Sequence, residues 1–167
     1  MKLEITDVIH GTEAEFWALY LDPVWIERML VVGLEFRGCQ ILKNEDTASG
    51  LRRELKMTPK LSLPEAVVKI VGPSMTITED GTFDRGTQVW SWRHKMSVMT
   101  EKFLISGTIR VVPDGPNRCT RHSVVTFECK LFGVGGLVEK AAASNIRAGF
   151  ITGGAFINKE LAAKRTA

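Results

Sequence analysis

Residues 132–164 read FGVGGLVEKAAASNIRAGFITGGAFINKELAAK, a proline-free run whose apolar residues recur at helical spacing. Val138, Ala142, Ile146, Phe150, Ile157 and Leu161 fall near one face, whereas Glu139, Lys140, Arg147, Lys159 and Glu160 fall largely on others. This predicts an amphipathic helix from about Leu137 to Lys164. At 1.5 Å per residue it would run ~42 Å, long enough to cross a domain. Gly149, Gly153 and Gly154 interrupt it, and each costs ~1 kcal/mol relative to alanine in a helix interior. They are either packing sites or a kink, or they open a groove for a ligand.

Working outward from the helix, the run before it is almost entirely strand and turn. Met75 to Phe83, Gln88 to Val98, Lys102 to Val112 and Arg118 to Leu131 are separated by short turn signals, which fits antiparallel neighbours. Upstream, Leu34 to Lys43 and the alternating Leu51 to Met57 flank the polar turn Asn44 to Gly50 and predict a hairpin. Thr58 to Pro64 is either an ordinary crossing or a mobile flap, followed by a helical turn at Glu65 to Val71.

At the start of the chain, Leu3, Ile5 and Ile9 alternate in a strand over Leu3 to His10, with Asp7 as the one polar exception on their face. Thr12 and Glu15 form a capping-box pattern opening a helix that carries Phe16, Leu19 and Tyr20, and Pro23 opens a second short helix over Val24 to Leu30. The order is one strand, two short helices, about six strands and one long helix. That order predicts an α+β fold in which a curved antiparallel sheet of about seven strands closes around the C-terminal helix. One helix does not readily fill the hollow of such a sheet, so a cavity between them is expected.

Composition narrows the class. The 167 residues, 44% of them apolar, fit a single domain over 1–167. Charges at Lys2, Glu4 and Asp7 break any signal-peptide core, and no stretch has the length of a membrane span, which predicts a soluble cytoplasmic protein. Three cysteines, Cys39, Cys119 and Cys129, read as buried thiols in a reducing compartment. A formal charge of +3 from 22 basic and 19 acidic residues is too weak for a nucleic-acid footprint, and Arg52-Arg53 reads as a solvated strand face.

These elements resemble the START-like helix-grip superfamily, in which a seven-stranded sheet wraps a C-terminal helix. Ser62–Asp84 (SLPEAVVKIVGPSMTITEDGTFD), Ile105–Gly115 (ISGTIRVVPDG) and Phe132–Phe150 (FGVGGLVEKAAASNIRAGF) are similar to a bacterial branch of it defined only as a domain of unknown function. The resemblance covers nearly the whole chain. It implies a helix-grip domain with an internal cavity, in a superfamily of lipid and sterol carriers, hormone receptors, polyketide cyclases and chaperone co-factors. It implies no common catalytic motif.

Candidate site residues follow from the strand faces. Trp90, Trp92, His94 and Met96 share one face, as do Ile77, Glu79 and Phe83 on the preceding strand. Both faces should look toward the helix. The tryptophans are either packed core or the wall of an apolar-ligand pocket. An inward carboxylate must be paired or protonated, which makes Glu79 and His94 the one polar pair of interest. Pairing Phe83 with Gln88 would put Glu79 opposite Trp92 and leave His94 a diagonal neighbour. The pair is either an acid/base or ligand-orienting site or a structural link. His122 falls on the outward face of the last strand, opposite Val125 and Phe127.

Other chemistry finds little support. No GxSxG, HExxH or Walker sequence occurs, and the histidines lack metal-site spacing. The FGVGG run at Phe132 to Gly136 reads as a tight strand-to-helix turn, since the βαβ context of a phosphate-binding loop is missing. The expected ligand-binding set is Ile77, Glu79, Trp90, Trp92, His94, Phe127, Ile146 and Phe150, with no metal and no cofactor. The expected partner is a hydrophobic small molecule or lipid rather than nucleic acid, with transient membrane contact as a further candidate. Catalytic residues and oligomeric state stay open. An enzyme of the cyclase or hydrolase type and a protein-interaction module with a dry core are the competing readings.

Overall fold

The computed structural model describes every residue except Pro73 and Ala167. Strand β1 (Lys2–Ile9) leads into helices α1 (Glu13–Tyr20) and α2 (Pro23–Arg28), and a π-helical turn (Met29–Gly33) follows. Six strands come next, β2 (Gly38–Asp46), β3 (Gly50–Thr58), β4 (Ile77–Asp84), β5 (Val89–Met96), β6 (Phe103–Pro113) and β7 (Cys119–Cys129), with helix α3 (Glu65–Val71) between β3 and β4. The last element is the long helix α4 (Gly135–Thr166). All seven strands form one antiparallel sheet in the order β1-β7-β6-β5-β4-β3-β2. This is the antiparallel sheet with one long C-terminal helix expected from the element order, and the arrangement that the resemblance implies.

Local chemistry explains the element ends. Thr12 Oγ1 accepts from the Glu15 N–H at 3.2 Å while Glu15 Oε2 accepts from the Thr12 N–H at 2.7 Å, so the capping box is complete. The strand expected from Leu34 instead begins at Gly38. Helical structure persists to Gly33, the Phe36 N–H donates to Leu30 O at 3.0 Å, and Glu35 takes a left-handed backbone. These tie residues 34–36 to the helical layer rather than to the sheet.

Two further expectations are corrected. Arg53 does not lie on a solvated face. It is 1% exposed, and its Nη1 donates to the Tyr20 carbonyl at 2.8 Å. Its guanidinium lies 4.6 Å from the Trp90 ring and 5.6 Å from the Tyr20 ring. The cation thus caps the C-terminal end of α1, where the helix dipole is negative. The thiols also divide: Cys119 is buried, but Cys39 and Cys129 are only partly so.

The core falls into two apolar clusters. One joins α1, α2 and the C-terminal half of α4 to the sheet through residues such as Phe16, Trp90 and Ile157. The other joins α3 and the start of α4 to the sheet's opposite end through Val67, Phe103, Phe127 and Val138. Between them, the middle of α4 packs on the sheet less completely. Ala142, Ile146 and Phe150 are only partly buried, whereas Val138, Ala141, Ile157 and Leu161 on either side are fully packed.

Candidate functional site

The gap between the clusters is a cavity of about 370 Å³, walled by the inner faces of β3 to β7, by α3 and by the middle of α4. Its volume falls within the ~300–1,000 Å³ of ordinary small-molecule pockets. Seven of the eight expected site residues line it: Ile77, Glu79, Trp92, His94, Phe127, Ile146 and Phe150. Trp90 does not. It is 0% exposed, packed over Gly81 and against Tyr20, and belongs to the core beneath the cavity.

The glycines of α4 serve different ends. At Gly154 a Cβ would collide with Asp7 Oδ2 and come within 3.3 Å of Arg121 Nη2, so this glycine lets the helix approach the sheet. At Gly149 a Cβ would meet nothing within 4 Å, and the residue lines the cavity.

Glu79 and His94 are direct cross-strand partners, not diagonal ones. The β4–β5 turn accounts for the two-residue difference in register. Asp84 Oδ1 accepts from the Thr87 N–H at 2.6 Å, the Gln88 N–H donates to Asp84 O at 2.8 Å, and Gln88 takes a left-handed backbone. Asp84 therefore pairs with Val89, and Phe83 with Trp90. His94 Nε2 lies 2.8 Å from Glu79 Oε2, with side-chain exposures of 16% and 13%. The imidazole also stacks on Trp92, ring centroids 4.2 Å apart. An ionised Glu79 accepts a hydrogen from Nε2, so a neutral His94 presents its Nδ1 lone pair. Neither Nδ1 nor Glu79 Oε1 has a hydrogen-bond partner among the described residues.

Among the polar wall residues that were not expected are Tyr20 and Arg121. Tyr20, read from the sequence only as an apolar helix position, is 8% exposed and lines the cavity. Its phenol is pushed above its usual range, first by burial and then by the charge of Glu79, with Arg53 and Arg121 opposing. Arg121, 3% exposed, donates from Nε and Nη2 to Asp7 at 2.8 Å each, and from Nη2 to the Phe150 carbonyl at 2.9 Å. The sequence signal for it was Asp7 itself, an inward carboxylate on β1 that demands a cation from the neighbouring strand. Arg121 shares the inward parity of Cys119, Ser123, Val125 and Phe127, while His122 is exposed as expected.

The stretch from Leu61 to Val71, between β3 and β4, forms part of the cavity wall. Leu61, Leu63, Val67 and Val71 turn inward. Asn145 of α4 holds the segment, accepting from the Ser62 N–H at 3.0 Å and donating to the Ser62 carbonyl at 2.8 Å. At the far end of β7, Phe132 is fully exposed and Gly133 has φ +77°, a tight turn into α4 as expected. No described helix is long and apolar enough to cross a membrane. No group of three or more His, Cys, Asp or Glu residues able to hold a metal occurs among the described residues.

Comparison with solved structures places the fold. The TTHA0849 protein of Thermus thermophilus superposes with a TM-score of 0.71 at 14% identity, covering 98% of this chain and 99% of that one. The Zhui aromatase/cyclase from Streptomyces sp. R1128 gives 0.70 at 12% identity, covering 96% and 95%. A START superfamily protein from Mycobacterium smegmatis gives 0.65 at 15% identity, covering 95% and 97%. Identities this low establish shared fold alone. No curated protein matches the chain. The model of a family described as "Protein of unknown function (DUF2505)" matches residues 5–161. The chain therefore belongs to that family, and its fold is the START-like helix-grip fold.

Proposed function

We propose that this protein binds an apolar small molecule or lipid between the sheet and α4. The observation that carries the reading is the cavity of about 370 Å³, whose wall is apolar except for a few convergent polar groups. A dry core would have closed it, since native interiors pack with few voids larger than a water molecule. Instead α4 presents Ala142 and Gly149 where larger side chains would fill the space. The polar groups of the wall then orient the polar end of the guest, and the Asn145-held segment flanks its apolar part. The test is titration with an uncharged apolar fluorophore, N-phenyl-1-naphthylamine. Saturable binding that quenches tryptophan emission is expected, with most of the quenching lost in Trp92→Phe and retained in Trp25→Phe. Absence of saturable binding would refute the reading.

A second reading is favoured by one feature. Glu79 at Nε2 sets His94 in the tautomer that leaves Nδ1 as a base, the arrangement of a carboxylate-oriented imidazole. An enzyme of the cyclase or hydrolase type would use it to take a proton from a guest in the same cavity. In that case Glu79→Gln should lower turnover by ~10²–10⁴-fold with binding retained. A variant that binds a turned-over substrate normally and reacts at the wild-type rate would exclude Glu79 from the chemistry.

A further inference from the structure

Within the cavity reading, on which this inference rests, the wall indicates what kind of polar group the guest carries. Tyr20 ends α1 and is held on three sides. Its ring stacks on Phe16 at 5.5 Å, meets the edge of Trp90 at 5.8 Å, and its carbonyl accepts from Arg53. The hydroxyl is therefore fixed in place, yet it has no hydrogen-bond partner among the described residues although the residue is only 8% exposed. Tyr20 lines the cavity, so a hydroxyl held in place there is free to donate to a guest that enters.

Arg121 adds a second donor on the same wall. Its three hydrogen bonds use Nε and Nη2, which leaves Nη1 unspent among the described residues. Phe150 fixes the guanidinium from the helix side, its ring 5.1 Å from Cζ. The charged groups around this end are Arg121 with Asp7, Glu79 beside His94, and Arg53. Arg53 makes no ion pair among them; it is met by a carbonyl and two ring faces, and its Nε and Nη2 have no partner there. Tyr20 and Arg121 both line the cavity, so two donors without a further partner among the described residues share its wall. Glu79, the carboxylate on the wall, turns Oε2 to His94.

We propose that the ligand is an amphiphile bearing a single carboxylate, with its acidic head accepting from the Tyr20 hydroxyl and Arg121 Nη1 and its apolar tail along the α3 side of the cavity. The tail then lies against Val67, Met75, Phe103 and Phe127, the apolar end opposite Tyr20. A donor-rich end selects an acid over its neutral ester, because a hydrogen bond to a charged acceptor is the stronger kind.

The experiment compares dodecanoate with methyl dodecanoate, which share a tail and differ in the head, by calorimetric titration of the full chain. Dodecanoate should bind about 10-fold or more tightly than the ester, and Tyr20→Phe should weaken dodecanoate about 10-fold while leaving the ester nearly unchanged. Because the hydroxyl has no partner among the described residues, Tyr20→Phe should keep the wild-type thermal midpoint. Should the variant not fold, the acid-to-ester ratio on the wild-type chain decides by itself. Equal affinities for acid and ester would overturn the carboxylate assignment while leaving the cavity reading standing. Failure of acid, ester and N-phenyl-1-naphthylamine alike would overturn both.

Discussion

Single replacement of Gly149 and of Gly154 by alanine should move stability in opposite directions. Both residues lie inside α4, where glycine costs ~1 kcal/mol relative to alanine. A Cβ at Gly149 meets no atom within 4 Å. Gly149→Ala should therefore stabilise by about 1 kcal/mol, the helix-propensity gain alone. A Cβ at Gly154 collides with Asp7 Oδ2 and lies 3.5 Å from Asp7 Cγ. That carboxylate cannot retreat freely, because Arg121 holds both of its oxygens at 2.8 Å. Breaking a buried ion pair costs ~3–5 kcal/mol. Asp7 keeps 21% side-chain exposure, so the low end of that range applies. After offsetting the ~1 kcal/mol helix gain, Gly154→Ala should lose about 2 kcal/mol. The two variants should differ by about 3 kcal/mol in urea unfolding followed by circular dichroism, with the denaturant slope unchanged. If Gly154→Ala is as stable as wild type, or Gly149→Ala loses about 1 kcal/mol or more, the assignment of one glycine to contact and the other to open space is wrong.

Gly149→Leu should fill the cavity from the helix side, abolishing N-phenyl-1-naphthylamine binding without lowering the unfolding midpoint; retained binding would place the guest elsewhere. For the polar pair, Glu79→Gln and His94→Phe should each destabilise, and the double variant should lose less than the sum, by ~0.5–3 kcal/mol; strict additivity would show that the 2.8 Å contact carries no coupling energy. Burial raises the Cys39 and Cys119 thiols from 9.0 to about 11 each. The unfolded thiols ionise first, so this contribution to stability is full below pH 9 and is lost as pH rises from 9 toward 11. A variant with both cysteines changed to alanine should show a shallower decline of the urea midpoint over that window, and an identical decline would contradict the burial.

Much of this molecule could be read from alternation and helical period. Period-two alternation placed Ile77, Glu79, Trp92, His94 and Phe127 on inward faces, and the cavity lies where they converge. What alternation cannot supply is register across a turn. The Asx contact of Asp84 and the left-handed Gln88 add their residues to the β4–β5 loop, and only then do Glu79 and His94 stand opposite each other. Arg53 had the inward parity of Leu51 and Leu55, but its charge argued for solvent. Its partners, the Tyr20 carbonyl and the Trp90 face, come from elements distant in sequence. Trp90 and Trp92 show the same limit from the other side: both point inward, yet Gly81 lets Trp90 sink into the core, leaving Trp92 at the cavity wall.

Isoleucine methyl groups offer the most direct test of a guest between sheet and helix. Ile77, Ile105 and Ile146 line the cavity, Ile9 is fully buried away from it, and Ile151 is 67% exposed on α4. In a methyl-labelled sample titrated with N-phenyl-1-naphthylamine, intermolecular nuclear Overhauser contacts should run from the probe to Ile77, Ile105 and Ile146 on both walls at once. Ile9 and Ile151 should show none. Contacts to Ile151 alone, or bound probe with no contact to the three wall methyls, would contradict an internal binding site.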